Sequence, residues 1–320
     1  MGGAARGIGH YASALLDALR RDFPADEFPV VTPRSRLESR LLFGSAALTG
    51  RPRLDRLAGG CDVVWAPAPA PLAVSRGVPL VLTVQDRSWE VRPSDFTSYE
   101  RLWHLAARPR ALARRAERVL TTTEHGRADI VAAWGLDPAR VAVAPLGVRA
   151  LAPGAPPGGE PYLLFVGALE PRKAPGVLAA ALATARARGL RARLIVVGDG
   201  RMDVPGAEHA GRVDDATLAG LYAGALALVM PSHLEGFGLT AVEALAAGTP
   251  VIVSDLAPVR EVLGDAAFAY VPPGDAGALA DALLAVERAA PRGDPAAVAH
   301  LTWSATAAVT HAALVEAAGA

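Results

Sequence analysis

Two patterns of apolar positions alternate along this chain. Short apolar runs of strand length occur at 61–67 (CDVVWAP) and 78–84 (VPLVLTV), and apolar residues recur at helical spacing over 7–21. A long helix rich in Arg, Ala and Leu is predicted at about 99–117, and another at 124–134 between the strands RVLTTT and RVAVAP. Strands that alternate with helices in this way predict a parallel sheet covered by helices on both faces.

A stretch rich in Pro and Gly, GVRALAPGAPPGGEP at 147–161, interrupts this alternation and is interpreted as a linker between domains. The alternation then restarts with the strand YLLFVG and a helix that begins at Pro175. Further strands are predicted at ARLIVVG, ALALVMPS, PVIVS and AFAYV, and further helices at 214–223, 275–288 and 303–318. We therefore expect two α/β domains, 1–150 and 151–303, and a last helix within 304–320.

Composition narrows the class of protein. The 320 residues include 32 basic and 32 acidic side chains, which excludes binding to nucleic acid driven by net charge, and the 52% hydrophobic content excludes disorder. No apolar run approaches the ~18 residues of a membrane span, and the N-terminus lacks the pattern of a signal peptide. The single cysteine, Cys61, fits a reducing compartment and is interpreted as a small buried hydrophobe, so we expect a cytoplasmic protein.

Two glutamates, Glu235 and Glu243, lie eight residues apart in the segment SHLEGFGLTAVEALAAGTPVIVS. One interpretation of Glu243 is structural, because Thr240 and Glu243 have the spacing of a helix capping box. That interpretation leaves Glu235 and the two neighbouring glycines, Gly236 and Gly238, without a role. Glycines at the start of a helix let backbone N–H groups approach a diphosphate, and carboxylates suit hydroxyl groups better than phosphates. The segment therefore favours a ligand that carries hydroxyls beside its phosphates, such as a nucleotide sugar.

A basic pair, Arg172 and Lys173, follows the strand YLLFVG and precedes a predicted helix. Lys173 is the only lysine in a chain whose other basic side chains are all arginine, apart from histidine. A pair at this position could neutralise a diphosphate, with Arg as a fork of donors and Lys as a point charge. The alternative is two solvated surface side chains.

At this point the sequence resembles glycosyltransferase family 4, whose members are retaining enzymes. The resemblance is carried by PRK, VGDG and the segment from GRVDDATL through PVIVS in the second half. RGIGHY, TVQDRSWEVRP and TTTEHGRADI extend it more loosely into the first half, so that it covers nearly the whole chain.

The resemblance implies the GT-B fold: two Rossmann-like, doubly wound parallel-sheet domains that face a cleft, with the C-terminal helix crossing back to the N-terminal domain. It implies transfer from a nucleotide diphosphate sugar, used as co-substrate without cofactor or metal, to the hydroxyl of a glycan, a lipid-linked glycan or a small aglycone. By the same resemblance Arg172 and Lys173 bind the diphosphate, Glu235 the donor sugar, and Glu243 the ribose. The other donor-binding residues that it implies are Val213 near the base and the turn residues Gly236, Phe237, Gly238 and Leu239. It also implies Gly7 and Gly9 of the acceptor-side glycine loop, which packs near the donor phosphates once the cleft closes.

On the acceptor side the resemblance assigns Gln85 and Asp86, where the family usually has His-Asp. An amide does not titrate, so Gln85 cannot be a general base, although it can hold a sugar hydroxyl. Asp86 could orient the acceptor or stabilise positive charge at the anomeric carbon; its alternative is a turn or N-cap aspartate. Two further departures are Ala168 and His10, where basic residues are common, and His10 fits a capping or surface role. The glycines also begin at Met1 without a preceding strand. Either the first strand was lost from this chain or its start codon was assigned too late, and we expect the sheet of this domain to lack one strand.

Two other functions remain open at this level. A non-catalytic protein that binds sugar nucleotides would keep the donor motifs and lose the acceptor-side pair, and Gln85 points in that direction. A sugar-nucleotide epimerase of the same fold would need further ionisable groups in the cleft, and no motif places them.

The arginine-rich stretch RPRALARRAER at 108–118 could contact acidic lipid headgroups at the inner face of the membrane, or could be a solvated helix face.

Overall fold

The computed structural model describes residues 7–33, 35–149, 151 and 154–319. Contacts divide the chain into two compact units. Unit 1 comprises residues 1–147 and 302–320, and unit 2 comprises residues 148–301.

Helices and strands alternate through both units. The helices are α1 Gly7–Asp22, α2 Arg36–Thr49, α3 Leu54–Leu57, α4 Ser88–Val91, α5 Ser98–Ala107, α6 Pro109–Arg115, α7 Glu124–Trp134, α8 Pro175–Ala187, α9 Asp215–Gly224, α10 Leu239–Ala246, α11 Ala257–Leu263, α12 Ala276–Ala289 and α13 Trp303–Ala318. The strands are β1 Val64–Ala66, β2 Leu80–Thr83, β3 Arg118–Thr121, β4 Val141–Val143, β5 Tyr162–Val166, β6 Arg193–Val197, β7 Glu208–Gly211, β8 Ala227–Met230, β9 Val251–Ser254 and β10 Ala269–Val271. In the described residues, no helix has both the length and the apolar character needed to cross a membrane.

The described residues of unit 1 form a parallel sheet of four strands in the order β1-β2-β3-β4. Successive residues of a strand point to opposite faces, and here both faces are buried. Leu80 and Leu82 of β2 pack with Trp134 of α7 in one cluster, while Val81 packs with Leu314 of α13 in another. The last helix therefore crosses back to the sheet of the N-terminal domain, as the resemblance implies.

Unit 2 is built on a parallel sheet of six strands in the order β10-β9-β8-β5-β6-β7. One face packs on α8 and α12 through a large cluster that includes Leu163, Leu178 and Leu283, and α9 and α10 contact the strands as well. The strand order reverses between β5 and β8, because the chain moves outward to β6 and β7 before it returns to pair β8 with β5. In sheets of this kind ligands bind at such a reversal, outside the carboxyl ends of the strands.

One predicted helix differs from the structure. The stretch 99–117 forms two helices, α5 and α6, separated at Arg108, which has a positive φ of 48°. The cause is Pro109, which lacks the N–H that a continuous helix would use and instead occupies the first turn of α6.

Nearly all of the predicted linker belongs to unit 2, and part of it packs on α9. Gly154 lies so close to the carbonyl of Ala216 and the backbone of Gly220 on α9 that a Cβ at this position would clash with both. Close backbone packing of this kind requires glycine. At least one glycine of this stretch is therefore needed for close packing on α9 and not only for a change in chain direction.

Candidate functional site

Two loops meet at the reversal in the sheet of unit 2. One follows β5 and contains a 3₁₀ turn at Pro171–Lys173, and the other follows β8 and leads into α10. The N–H of His233 in the second loop donates to the carbonyl of Arg172 in the first, at 2.8 Å. This bond joins the loop of the predicted basic pair to the loop of Glu235 at the carboxyl ends of the central strands.

Lys173 and Glu235 form an ion pair across these loops. The same carboxylate oxygen, Oε1 of Glu235, accepts a hydrogen bond from Ser232 Oγ at 2.7 Å. Burial raises the pKa of Glu235, but the positive charges of Lys173 and Arg172 outweigh burial and hold this pKa below its usual range. Glu235 is therefore an ionised acceptor, and an ammonium group with three donors can contact a further anion while it holds this carboxylate.

Arg172 lies beside a carboxylate of its own. Its Nε is 3.5 Å from Oε2 of Glu170, and both side chains are largely buried. The basic pair is thus not free in solution, which argues against the interpretation of Arg172 and Lys173 as two solvated side chains. Arg172 therefore lies beside Glu170 in the loop after β5, and Lys173 lies beside Glu235 of the loop after β8.

The glycine turn positions the N-terminus of α10. Gly238 is the N-cap residue with φ 89°, a conformation that favours glycine, and a Cβ there would contact Met230 and Val259 at 3.3 and 3.4 Å. Phe237 is buried beside it. No described side chain caps this helix. The N–H groups of Ala241 and Val242 donate to the carbonyl of Gly238, so the N–H groups of Leu239 and Thr240 keep their capacity to bind an anion.

The capping-box interpretation of Glu243 is wrong. Thr240 lies inside the first turn of α10 and its hydroxyl contacts Met230 Sδ at 3.4 Å, while Gly238 occupies the N-cap. Glu243 is only 7% exposed, and its Oε2 accepts from the Tyr222 hydroxyl at 3.2 Å. A buried carboxylate one turn inside the helix is a poor capping group and a good candidate for ligand contact.

Arg149 is the second neighbour of Glu243. Its Nε lies 3.6 Å from Oε1 of Glu243, beyond hydrogen-bond distance, and its Nη1 bonds Asp215 at 2.7 Å. Burial raises the pKa of Glu243, with Arg149 opposing that shift. Sequence reasoning missed both Arg149 and Tyr222. A charged residue inside the Pro/Gly-rich stretch was the available signal for Arg149, whereas Tyr222 has the appearance of an ordinary core residue of α9.

Val213 follows β7, two residues beyond the end of the strand and before α9. Its neighbour Arg212 forms an ion pair with Asp199, with Nε and Oδ2 3.2 Å apart. Asp199 itself follows β6, so this pair also lies at the carboxyl side of the sheet. Val213 therefore lies at the same carboxyl-terminal side of the sheet of unit 2 as Arg172, Lys173 and Glu235.

Gln85 and Asp86 follow β2 in unit 1, at the carboxyl end of its sheet. Oδ1 of Asp86 accepts from the N–H of Ser88 at 2.8 Å, which is the bond expected of a turn aspartate before a helix. Its other oxygen, Oδ2, has capacity for a ligand. Nε2 of Gln85 is buried and has no hydrogen-bond partner in the described part of the chain. An unmatched buried donor is costly, so Gln85 is suited to hold an oxygen of a ligand.

An aromatic group adjoins this strand end. His104 of α5 stacks on Trp89 of α4 with ring centroids 4.7 Å apart and 10° between planes. Burial lowers the pKa of His104, and the negative charge of Asp86 opposes this effect. Nothing in the sequence indicated His104, because it belongs to no motif and lies near Asp86 only through the packing of α5.

Gly7 and Gly9 lie in the first turn of α1, also in unit 1. Residues 1–6, which carry the rest of the glycine-rich stretch and the position of the expected missing strand, lie outside the described residues.

In the arginine-rich stretch at 108–118, Arg110 pairs with Glu90, Arg114 and Arg115 donate to backbone carbonyls, and Arg118 pairs with Glu316. Most of its guanidinium groups thus hold unit 1 together.

Comparison with known proteins covers both units. Residues 2–150 match the family described as Glycosyltransferase Family 4, and residues 160–288 match the family described as Glycosyl transferases group 1. The two matches together account for most of the chain and meet near the boundary between the units.

Individual relatives agree with these families. The chain is 34% identical over 235 residues to D-inositol 3-phosphate glycosyltransferase 2 of Catenulispora acidiphila, covering 61% of this chain and 55% of that protein. It is 42% identical over 138 residues to phosphatidyl-myo-inositol mannosyltransferase of Mycobacterium leprae, covering 39% and 37%. The chain spans about half the length of the curated relatives it matches. Among solved structures, sucrose-phosphate synthase from Thermosynechococcus elongatus is similar with a TM-score of 0.53 at 25% identity, covering 74% of this chain and 64% of that one.

Proposed function

Since the chain belongs to glycosyltransferase family 4 and its two parallel-sheet units have the GT-B fold, we propose that it transfers a sugar from a nucleotide diphosphate sugar to an acceptor hydroxyl. We propose retention of configuration at the anomeric carbon and no requirement for a metal ion. One observation carries the proposal. At the reversal in the sheet of unit 2, Lys173 and Arg172 lie beside an ionised Glu235 and an uncapped helix N-terminus.

Each group in this arrangement suits one part of such a donor. Arg172, Lys173 and the backbone N–H groups of α10 would bind the diphosphate by charge and by hydrogen bonds. The carboxylate of Glu235 would accept from hydroxyls of the sugar. Glu243, which keeps Oε1 outside hydrogen-bond distance of Arg149, would accept from the ribose, and Val213 would lie against the base.

The proposed reaction needs no general base from the protein. The bond between the anomeric carbon and the diphosphate oxygen breaks, and the acceptor oxygen forms a new bond to that carbon from the same face. The acceptor proton passes to an oxygen of the departing diphosphate. Arg172, Lys173 and the amides of α10 stabilise the negative charge that develops there, while Gln85 would hold a sugar hydroxyl and Asp86 would orient the acceptor.

The test is release of nucleotide from a panel of nucleotide diphosphate sugars, with and without acceptors, in excess chelator. Two relatives are named for D-inositol 3-phosphate and phosphatidyl-myo-inositol, so inositol phosphate and phosphatidylinositol belong in the acceptor panel. We expect release that depends on an acceptor and persists in chelator, and a product of retained configuration. Activity that returns only with magnesium or manganese would contradict the metal-independent mechanism, and donor binding without turnover on any acceptor would favour a non-catalytic binding protein.

Variants localise the donor site. Lys173→Met should abolish donor binding, whereas Arg191→Met, an exposed cation that precedes β6 at the other edge of the sheet, should leave it unchanged. Because Lys173 is the only lysine, amine-selective labelling gives an independent readout by mass spectrometry. We expect a bound donor to protect Lys173; labelling that is equally fast with and without saturating donor would place the diphosphate elsewhere.

A further inference from the structure

Glu243 is an acidic side chain in an apolar environment. It is buried, and its neighbours along α10, Val242 and Ala244, are fully buried as well. Burial favours the protonated form of a carboxyl group and raises the pKa of Glu243. An ionised carboxylate accepts hydrogen bonds on both oxygens, whereas protonation turns one oxygen into a donor. The proposed contact with the ribose therefore depends on what keeps Glu243 ionised.

Three titratable groups of the described residues act on this carboxylate. The Tyr222 hydroxyl donates to Oε2 at 3.2 Å, and burial raises its pKa well above the ordinary value, so it is an uncharged donor. Asp215, in the first turn of α9, is negative and opposes ionisation of Glu243. The third group is Arg149, whose positive charge favours the ionised form.

The placement of Arg149 suits a charge that acts at short range without a hydrogen bond. Its Nε lies 3.6 Å from Oε1 of Glu243, and this nitrogen is buried and has no hydrogen-bond partner among the described residues. The attraction between two charges falls only in proportion to distance, so it persists at this separation. A hydrogen bond would require a closer approach, so Arg149 supplies charge and leaves Oε1 free to accept from a ligand.

A second contact fixes the guanidinium in this position. Nη1 of Arg149 donates to Oδ1 of Asp215 at 2.7 Å, and Asp215 itself is exposed. Arg149 is thus held at its outer end by a solvated carboxylate, while its inner nitrogen lies beside a buried one. The two acidic partners of this arginine therefore differ in burial, and each can be removed separately.

We propose that Arg149 is a positioning residue for nucleotide binding, whose guanidinium keeps Glu243 ionised so that Oε1 can accept from the ribose hydroxyls. This inference rests on the proposed function, in which Glu243 contacts the ribose. Arg149 acts through Glu243 and needs no contact with the ligand. Because arginine stays charged at every pH at which the protein is folded, it extends nucleotide binding to lower pH than the buried carboxylate would allow alone.

The experiment is isothermal titration with uridine diphosphate or guanosine diphosphate, whichever binds the unaltered protein more tightly, at a series of pH values. In Arg149→Met burial acts on Glu243 without opposition, so the decline of affinity with falling pH should begin at a higher pH. On the acid side of the profile the variant should bind roughly tenfold more weakly than the unaltered protein. At alkaline pH the two affinities should converge, and Arg149→Lys, which keeps the charge, should restore the original profile.

Two controls separate this role from a structural one. Asp215→Asn removes the charged partner that holds Arg149 but leaves the arginine charge in place, and it removes a negative charge near Glu243. Its profile should therefore keep its position or move to lower pH, opposite to Arg149→Met. In a Glu243→Gln background, Arg149→Met should leave the shape of the profile unchanged, since titration of the nucleotide phosphate is common to both proteins.

The charge of Glu243 can also be followed without nucleotide, by carbon-13 NMR of the carboxyl groups in protein labelled at glutamate. The signal that Glu243→Gln removes should titrate at a higher pH in Arg149→Met than in the unaltered protein. Equal titration in the two proteins, or a displacement in the same direction for Asp215→Asn and Arg149→Met, would overturn this inference and leave the proposed function intact. Absence of nucleotide binding at every pH would instead contradict the proposed function, and with it a role of Arg149 in nucleotide binding.

Discussion

The two units share a parallel sheet covered by helices but differ in where they place their unusual side chains. In unit 2 the exceptional groups are charged and buried, and they face one another: Lys173 with Glu235, and Arg149 with Glu243. In unit 1 the exceptional groups are apolar and exposed, on α2 and α5. Among the described residues of unit 2, the large apolar side chain with notable exposure is Met202, at 37%.

Strand order explains part of this difference. The strand order in unit 2 reverses between β5 and β8, so the loops that follow these two strands form a candidate ligand site at their carboxyl ends. The four described strands of unit 1 follow one another in chain order, β1 to β4, without a reversal. Two parallel sheets covered by helices therefore differ in the residues that they place in unusual positions. Unit 2 gathers charged side chains at the carboxyl ends of its strands, and unit 1 exposes leucines on α2 and α5.

The largest effect should come from breaking the buried pair of unit 2. Lys173→Met leaves the Glu235 carboxylate buried without its counter-ion, which should cost about 3–5 kcal/mol of stability. The double variant Lys173→Met/Glu235→Gln should recover most of this loss. Urea unfolding followed by circular dichroism measures both. A cost near that of an exposed ion pair, about 0–1 kcal/mol, would mean that unit 2 does not bury charge as described.

The acceptor-side pair tests whether unit 1 takes part in chemistry. Asp86→Asn keeps an oxygen that can accept from Ser88, so the turn should survive, but turnover should fall roughly 100-fold, as when one stabilising group at a reacting centre is removed. Donor affinity should not change, and Gln85→His should remain active. Steady-state rates beside donor titration decide this. Full activity of Asp86→Asn would reduce Asp86 to a turn residue.

Glu243→Gln should weaken nucleotide binding by about 1.5–3 kcal/mol, the usual contribution of a hydrogen bond to a charged group. Stability should change little, because the amide oxygen can still accept from Tyr222. Burial raises the pKa of Glu243, so the ionised carboxylate is lost as pH falls, and this loss begins at a higher pH than for an ordinary glutamate.

Nucleotide affinity of the unaltered protein should therefore decline with falling pH, and that of Glu243→Gln should decline less. Isothermal titration with the free nucleotide at a series of pH values measures both. If nucleotide affinity has the same pH dependence in the two proteins, Glu243 does not contact the ribose.

The smallest effects contrast two threonines. Thr97→Ala removes an observed capping box at α5 of unit 1 and should cost about 1 kcal/mol. Thr240→Ala on α10 of unit 2 removes a contact to Met230 Sδ and no cap, so its cost should stay within a few tenths of a kcal/mol. Thermal melts of both variants provide the comparison. A larger loss for Thr240→Ala would restore the capping interpretation of α10.

Much of the fold was predictable because periodicity is local. The helices at 124–134 and 303–318 and the start of α8 at Pro175 agree with the sequence-based predictions. β7 was not predicted, since its sequence EHAG at 208–211 has no apolar run and it lies at the sheet edge, with a register shift against β6. The exposed leucines of α2 were not recognised either, because periodicity alone does not show which side of a helix is buried.

The residues of the candidate site were predictable where they belong to a sequence motif. Arg172, Lys173, Glu235 and Gly238 are close in sequence to the strand ends that position them. Arg149 and Tyr222 were not predictable, because they approach Glu243 through the packing of α9 and of a stretch without periodicity. A motif identifies the residues of a ligand site better than it identifies the residues that hold them in place.

The return of α13 to unit 1 has a consequence for synthesis on the ribosome. Val81 and Leu120 leave the ribosome long before Ala313 and Leu314, the residues that cover them. The sheet of unit 1 is therefore left with an apolar face open to solvent while the whole of unit 2 is translated and free to fold. Nascent chains with such faces are prone to aggregation, so the newborn protein should depend on chaperones until its last helix arrives.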